Sequence, residues 1–150
     1  IDGLASGVTL PVMVFFAVTA WMWGKTTLAL LPAALAGGLA GFLVYNFHPA
    51  KVFMGDTGSL FLGGMVCGLA FALDMPLVLI LVGIIYIMET VSVIMQVTYF
   101  KLTHGKRIFR MTPIHHHFEM GGWSEEKIFT VFVGITVLMC ILAFIGVSGR

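Results

Sequence analysis

The chain has 150 residues, of which 59% are hydrophobic and 10% charged, at a net charge of +1 and a mean hydropathy of +1.05. A soluble domain carries about a quarter charged residues, so this composition excludes one and indicates an integral membrane protein. The near-zero charge also argues against nucleic acid as a partner, because a polyanion requires a basic face.

A helix crossing about 30 Å of hydrocarbon needs roughly 20 mostly apolar residues. Segments meeting that need run over residues 8–23, 28–47, 57–73, 76–99 and 127–147. Their length and their wealth of Gly, Ala and Leu exclude buried strands. The expected fold is an all-α polytopic transmembrane helix bundle, a single membrane domain of five spans. The first span follows no basic leader or small-residue cleavage pattern, which argues against a signal peptide. Trp21, Trp23 and Trp123 fit anchoring at the lipid interface. Cys67 and Cys140 sit inside apolar runs and imply no disulfide framework. Gly37, Gly38 and Gly41 in the second span, and Gly63, Gly64 and Gly68 in the third, predict faces for close helix packing.

Five spans place alternate loops on opposite sides. The amino terminus and the loops 48–56 and 100–126 share one side with Lys51, Lys101, Lys106, Arg107, Arg110 and Lys127, whereas Lys25 and Arg150 lie on the other. The positive-inside rule makes the first side cytoplasmic. His48, His104, His115, His116 and His117 all fall there, with Asp2, Asp56, Glu119, Glu125 and Glu126; Asp74 lies opposite. Chemistry confined to one face suits an enzyme or receptor at the inner surface better than a channel.

The loop after the second span reads Asn46-Phe47-His48-Pro49-Ala50-Lys51-Val52-Phe53-Met54-Gly55-Asp56-Thr57-Gly58-Ser59. Asp56 or Thr57 can simply cap the next helix. Gly55 and Gly58 equally let a ligand approach the backbone, where a helix N-terminus favours phosphate and a carboxylate holds a hard cation such as Mg²⁺.

In the fourth span Glu89, Ser92, Gln96 and Tyr99 fall on one stripe. A carboxylate facing lipid costs about 2.5–3.5 kcal/mol on insertion scales, so the stripe must face protein or water. It serves either interhelical hydrogen bonding or the wall of a cleft. Beyond it lies His115-His116-His117, preceded by Pro113 and followed by Phe118. Helical metal ligands are spaced by three or four, and three consecutive side chains diverge, so one ion seldom takes all three. A loop whose imidazoles contact anionic oxygens beside Arg107 and Arg110 fits better; a solvated loop near anionic headgroups is the alternative.

Phe53-Met54-Gly55-Asp56-Thr57-Gly58-Ser59-Leu60, Glu89-Thr90-Val91-Ser92-Val93-Ile94-Met95-Gln96-Val97 and the run from Arg107 through Pro113-Ile114-His115-His116-His117 to Glu119 closely resemble the phospho-N-acetylmuramoyl-pentapeptide transferase family. That family is one of the polyprenyl-phosphate N-acetylhexosamine-1-phosphate transferases. Ile1-Asp2-Gly3-Leu4-Ala5 resembles the end of its repeated Asp-Gly-Leu motif.

The resemblance implies transfer of phospho-MurNAc-pentapeptide from UDP-MurNAc-pentapeptide to undecaprenyl phosphate, giving lipid I and UMP, at the cytoplasmic face of the bacterial inner membrane. It implies Mg²⁺ held by Asp56, and His115, His116 and His117 binding or polarising phosphate and sugar oxygens. It also implies Asn46 and Phe53 near the nucleotide with Phe53 stacking on uracil, Asp2 and Gly55 lining the same cleft, a prenyl groove beside the fourth span, and a homodimer. The family's adjacent aspartate pair has no counterpart here. The expectation is therefore the carboxyl-terminal half of a ten-span enzyme, inactive alone. A sister transferase for another hexosamine phosphate, or a membrane scaffold or metal-handling protein, remain the alternatives.

Overall fold

The computed structural model describes residues 2–149. Ile1, part of the Asp-Gly-Leu resemblance, and Arg150, part of the charge count, lie outside the described residues. The described chain is all-helical: α1 (Leu4–Met22), α2 (Thr26–Asn46), α3 (Gly55–Ala72), a 3-10 turn at Pro76–Val78 leading into α4 (Leu79–Val82), α5 (Ile84–Leu102), α6 (Ile114–Met120) and α7 (Glu125–Ser148). In hydrocarbon every backbone N–H and C=O must be satisfied within the segment, and the helix does this. Accordingly α1, α2, α3 and α7 are long and apolar enough to cross a bilayer.

The fourth span departs from the continuous helix expected over 76–99. It breaks at Gly83, and the two arms, Pro76–Val82 and Ile84–Leu102, meet at 79°. A Cβ at Gly83 would sit 2.6 Å from the Leu79 carbonyl oxygen, so the bend requires a residue without a side chain there. Hydropathy sees an unbroken apolar run; the backbone does not continue through it.

The core lies where α1 packs against α2, α3 and α7, with α4 closing it from the α7 side. Val12, Met13, Phe16 and Ala20 of α1 are fully buried there with Val66, Leu69 and Ala70 of α3 and Val82 of α4. A second cluster joins Leu4 and Val8 to Ile85 of α5 and to Ile128 and Phe132 of α7. Of the three buried polar residues of α1, two are bonded across to other elements: Ser6 donates to the Asn46 side-chain oxygen at 2.8 Å, and the Thr9 hydroxyl meets that of Tyr86, whereas the Thr19 hydroxyl has no described partner.

Close helix packing falls elsewhere than expected. A Cβ at Gly37, Gly38, Gly41, Gly63, Gly64 or Gly68 would meet nothing within 4 Å, because those faces of α2 and α3 look outward. The tight approach is at Gly7, where a Cβ would lie 2.3 Å from the Phe129 ring, so α1 and α7 close on each other. At the far end, Lys25 and Asp74 pair at 4.0 Å, which sets the α1–α2 turn against the turn after α3. Both groups are solvated, and such a pair contributes about 0–1 kcal/mol.

Candidate active site

At the end where α1, α3 and α7 begin, three distant segments close on one another. The Asp2 carboxylate accepts from the Ala50 amide at 3.0 Å and lies 3.2 Å from His48 Nδ1. His48 Nδ1 is also 3.2 Å from Glu125 Oε2, and the Asp2 amide donates to that same oxygen at 3.4 Å. One oxygen of each acid and one imidazole nitrogen thus fall within 4.8 Å of one another. Neither His48 nor Glu125 stood out in the sequence, because each has a sufficient local reading. Pro49 makes His48 a turn residue, and Ser124, whose side chain accepts from the Lys127 amide, makes Glu125 a first-turn acid.

The Ala50 hydrogen bond, aided by His48 and opposed by partial burial, holds the Asp2 carboxyl below its ordinary value of 3.8. A depressed carboxylate stabilises the fold above its unfolded pKa and loses that contribution as pH falls through the folded value. The Asp2 contribution to holding loop 47–54 is therefore expected to be intact at pH 5 and to be lost only below about pH 3.8, while the Asn46 bonds remain. Carbon-detected NMR of the Asp2 carboxyl checks this; a midpoint at or above the ordinary value would contradict it.

Asn46 is 6% exposed and its amide is occupied on both sides, accepting from Ser6 and donating to the Val52 carbonyl at 2.8 Å. It braces the loop that leads to Phe53, which is 74% exposed. Gly55 adopts φ +70°, with open space beside it, so glycine is required by the backbone turn into α3. The room that Gly58 leaves is taken by Met54, whose Cγ would lie 2.3 Å from an added Cβ. Asp56 stands in the first turn of α3, which has no side-chain cap bond. The capping expectation for Asp56 and Thr57 is therefore corrected, and the Asp56 carboxylate is exposed.

The histidine triplet lies on the short helix α6 and not in the irregular loop expected over 100–126. Pro113 precedes its first residue, in the position where a missing N–H costs nothing. Phe118 fixes α6 to the bundle: its ring stacks on Trp123 at 4.9 Å and meets the buried Phe132 edge-on at 6.1 Å. His115 Nδ1 is 2.9 Å from Glu89 Oε2, with both side chains largely buried. His116 Nδ1 is 3.0 Å from Glu119 Oε2, and His117 Nδ1 accepts from the Arg110 amide at 3.1 Å. The His115 and His116 rings lie 4.1 Å apart.

The α5 stripe holds this segment. Glu89 bonds His115, and the buried Gln96 accepts from the Ile108 and Phe109 amides, both at 3.0 Å, while donating to the Phe109 carbonyl at 2.9 Å. Ser92 returns its hydroxyl to its own helix at the Glu89 carbonyl, and Tyr99 is exposed. Gln96→Ala removes the bonds to two backbone amides of a partly exposed segment; water can take over such groups, so the net loss is about 0.5–1.5 kcal/mol per bond. A lower melting midpoint and faster tryptic cleavage at Arg107 and Arg110 are expected, and unchanged cleavage would remove the clamp.

The expected site residues thus fall into two groups. Asp2 and Asn46 are tied through the 47–54 loop that carries Phe53, Gly55 and Asp56; His115, His116 and His117 are tied to α5 and α7. No described hydrogen bond or ion pair links the two groups directly. Two apolar grooves open on the bundle, only the first of them next to these groups. A groove of about 260 Å³ lies beside α5 at Tyr86, Ile87, Thr90 and Val91, and a larger one of about 450 Å³ runs between α1 and α7, floored by Phe15 and Cys140.

Residues 1–74 match the family model described as glycosyl transferase family 4. The chain is similar to proteins named phospho-N-acetylmuramoyl-pentapeptide-transferase. It is 58% identical to that of Clostridium botulinum strain Eklund 17B over 97% of this chain and 45% of the relative. Identity is 56% to that of Clostridium beijerinckii, over 97% of this chain and 44% of the relative, and 58% to that of Clostridium perfringens strain 13, over 96% and 45%. The chain spans just under half the length of these relatives.

Proposed function

We propose, for a chain that belongs by sequence to the phospho-N-acetylmuramoyl-pentapeptide transferase family, that its polar face forms part of the site that moves phospho-MurNAc-pentapeptide from UDP-MurNAc-pentapeptide to undecaprenyl phosphate. The products are lipid I and UMP. The observation that carries the reading is the histidine helix: three adjacent imidazoles, each oriented by its own partner, beside the polar stripe of a membrane helix. Phosphoryl transfer between anions depends on placement and charge neutralisation more than on covalent help, and imidazoles each oriented by a partner supply the first of these.

Asp56 is the residue of this chain that fits Mg²⁺. Its carboxylate is exposed at a helix N-terminus and caps nothing, and Mg²⁺ takes one or two carboxylates together with substrate phosphates and water. The Asp2–His48–Glu125 cluster fits it less well, since imidazole suits zinc, copper and iron better than magnesium, and its polar atoms already bond one another. When bound, the ion would neutralise diphosphate charge. In this reading Asp2, Asn46, Phe53 and Gly55 frame the nucleotide, with Phe53 exposed for stacking, while His115, His116 and His117 contact phosphate and sugar oxygens. The prenyl chain lies along the apolar surface beside α5. The site faces the cytoplasm at the inner membrane, and the enzyme works as a homodimer.

UMP release by the protein extended to the length of its relatives tests the reading. Release from UDP-MurNAc-pentapeptide and not from UDP-N-acetylglucosamine is expected, and the reverse preference would assign a sister transferase. This chain alone is expected to bind nucleotide weakly without turnover. Efficient lipid I formation by it in a lipid assay would contradict that.

A further inference from the structure

We infer that the three histidines carry two different tautomers, so that His115 and His116 present an unprotonated Nε2 while His117 presents an Nε2–H. A neutral imidazole has one N–H, and the partner of one nitrogen decides which nitrogen holds it. His115 Nδ1 lies 2.9 Å from Glu89 Oε2, and with that carboxyl oxygen accepting, the proton sits on Nδ1. The same argument holds for His116 Nδ1 against Glu119 Oε2 at 3.0 Å. His117 is the reverse case. The Arg110 backbone amide at 3.1 Å can only donate, so Nδ1 is bare and Nε2 carries the hydrogen.

The differences are built in by distinct elements. Glu89 comes from α5, Glu119 from α6 itself, and the Arg110 amide from the segment pinned by Gln96 on α5. His117 is further confined by Phe109 and Phe118, whose rings lie edge-on at 5.6 Å and 5.8 Å. His115 and Glu89 are largely withdrawn from water, at 14% and 18% side-chain exposure. The Glu119 carboxylate is 41% exposed, so the His116 pair is the looser of the two.

Resting on the transfer reading above, this divides the labour within the triplet. His117 is the standing donor, suited to an anionic phosphate or sugar oxygen with no need to gain a proton first. His115 is an acceptor, suited to a hydroxyl or amide hydrogen of the bound sugar or peptide. Glu89 is then a positioning residue that acts through His115.

The test needs no substrate, so it stands apart from the transfer reading. The chain is prepared with ring-labelled histidine in nanodiscs, long-range proton–nitrogen spectra are recorded where the imidazoles are neutral, and signals are assigned by single His→Gln replacements. Nδ1–H patterns are expected for His115 and His116 and an Nε2–H pattern for His117. Glu89→Ala should convert His115 to the Nε2–H form. Glu89→Gln, which keeps an accepting oxygen, should preserve the original form, and His117 should remain unchanged in both variants as the internal check on folding. An Nδ1–H pattern for His117, or a His115 signal indifferent to Glu89→Ala, overturns the assignment. Should Glu89→Ala fail to fold, the His117 pattern of the unaltered chain decides alone. Intact tautomers without UMP release in the extended protein would remove the transfer reading and leave this one standing.

Discussion

Asp56→Asn is expected to reduce Mg²⁺-dependent lipid I formation by at least about 100-fold in the protein extended to its relatives' length. Replacing even an outer partner of a metal ligand typically costs about 10–100-fold, so a ligand itself should cost no less. The fold should be nearly indifferent. Asp56 is exposed in the first turn of α3 and makes no cap bond, so its loss forfeits only the favourable interaction of a carboxylate with the helix N-terminus, about 0.3–1 kcal/mol. The two readings of this residue separate cleanly in one experiment. A metal ligand gives lost activity with an almost unmoved melting midpoint, whereas a structural residue gives the converse. Full Mg²⁺-dependent turnover by the folded variant would remove the assignment of magnesium to Asp56.

Phe132→Ala should produce the largest stability loss, about 3 kcal/mol, at the lower end of the range for deleting a buried phenylalanine. The lower end applies because lipid solvates apolar groups nearly as well as protein does, so packing rather than water exclusion is what the deletion removes. Phe132 is 1% exposed and lies in the cluster that joins the starts of α1 and α7 to α5. Its edge-on contact with Phe118 also makes it the floor under α6. The cavity should therefore show twice: as a lower unfolding midpoint in detergent, and as disordered signals from the histidine helix below that midpoint. A variant with intact histidine signals would show that α6 is held by Trp123 and Glu89 alone.

Hydropathy alone located the long helices to within a few residues at each end, because a bilayer leaves the backbone little alternative to a helix once an apolar run is long enough. It was blind to the break at Gly83, since averaging over a window hides one glycine in an apolar stretch whose side chains are otherwise suited to a straight span. The polar stripe on α5 was legible in its direction and illegible in its partner. Spacing required Glu89 and Gln96 to face protein, and only the folded chain reveals that they hold His115 and the 108–109 backbone. The helical state of the triplet had a signal that was available: Pro113 before it, Gly121-Gly122 after it, and Glu119 one turn beyond His116. The Asp2–His48–Glu125 closure had none. Its members are far apart in sequence and each has a satisfactory local explanation, so only three-dimensional proximity joins them.

The bend at Gly83 gives α5 a geared relation to the segments it holds. At a rise of about 1.5 Å per residue, Glu89 lies about 9 Å along the arm from that pivot and Gln96 about 20 Å. A rocking of α5 by about 5° then carries the Gln96 end through roughly 1.7 Å and the Glu89 end through roughly 0.8 Å. The same stroke would shift the anchor of the Ile108–Phe109 backbone about twice as far as the carboxylate on His115. His115 is thus anchored to α5 nearer the bend, and the segment that bonds His117 is anchored further from it, so any tilt of this arm would move the two anchors by unequal distances.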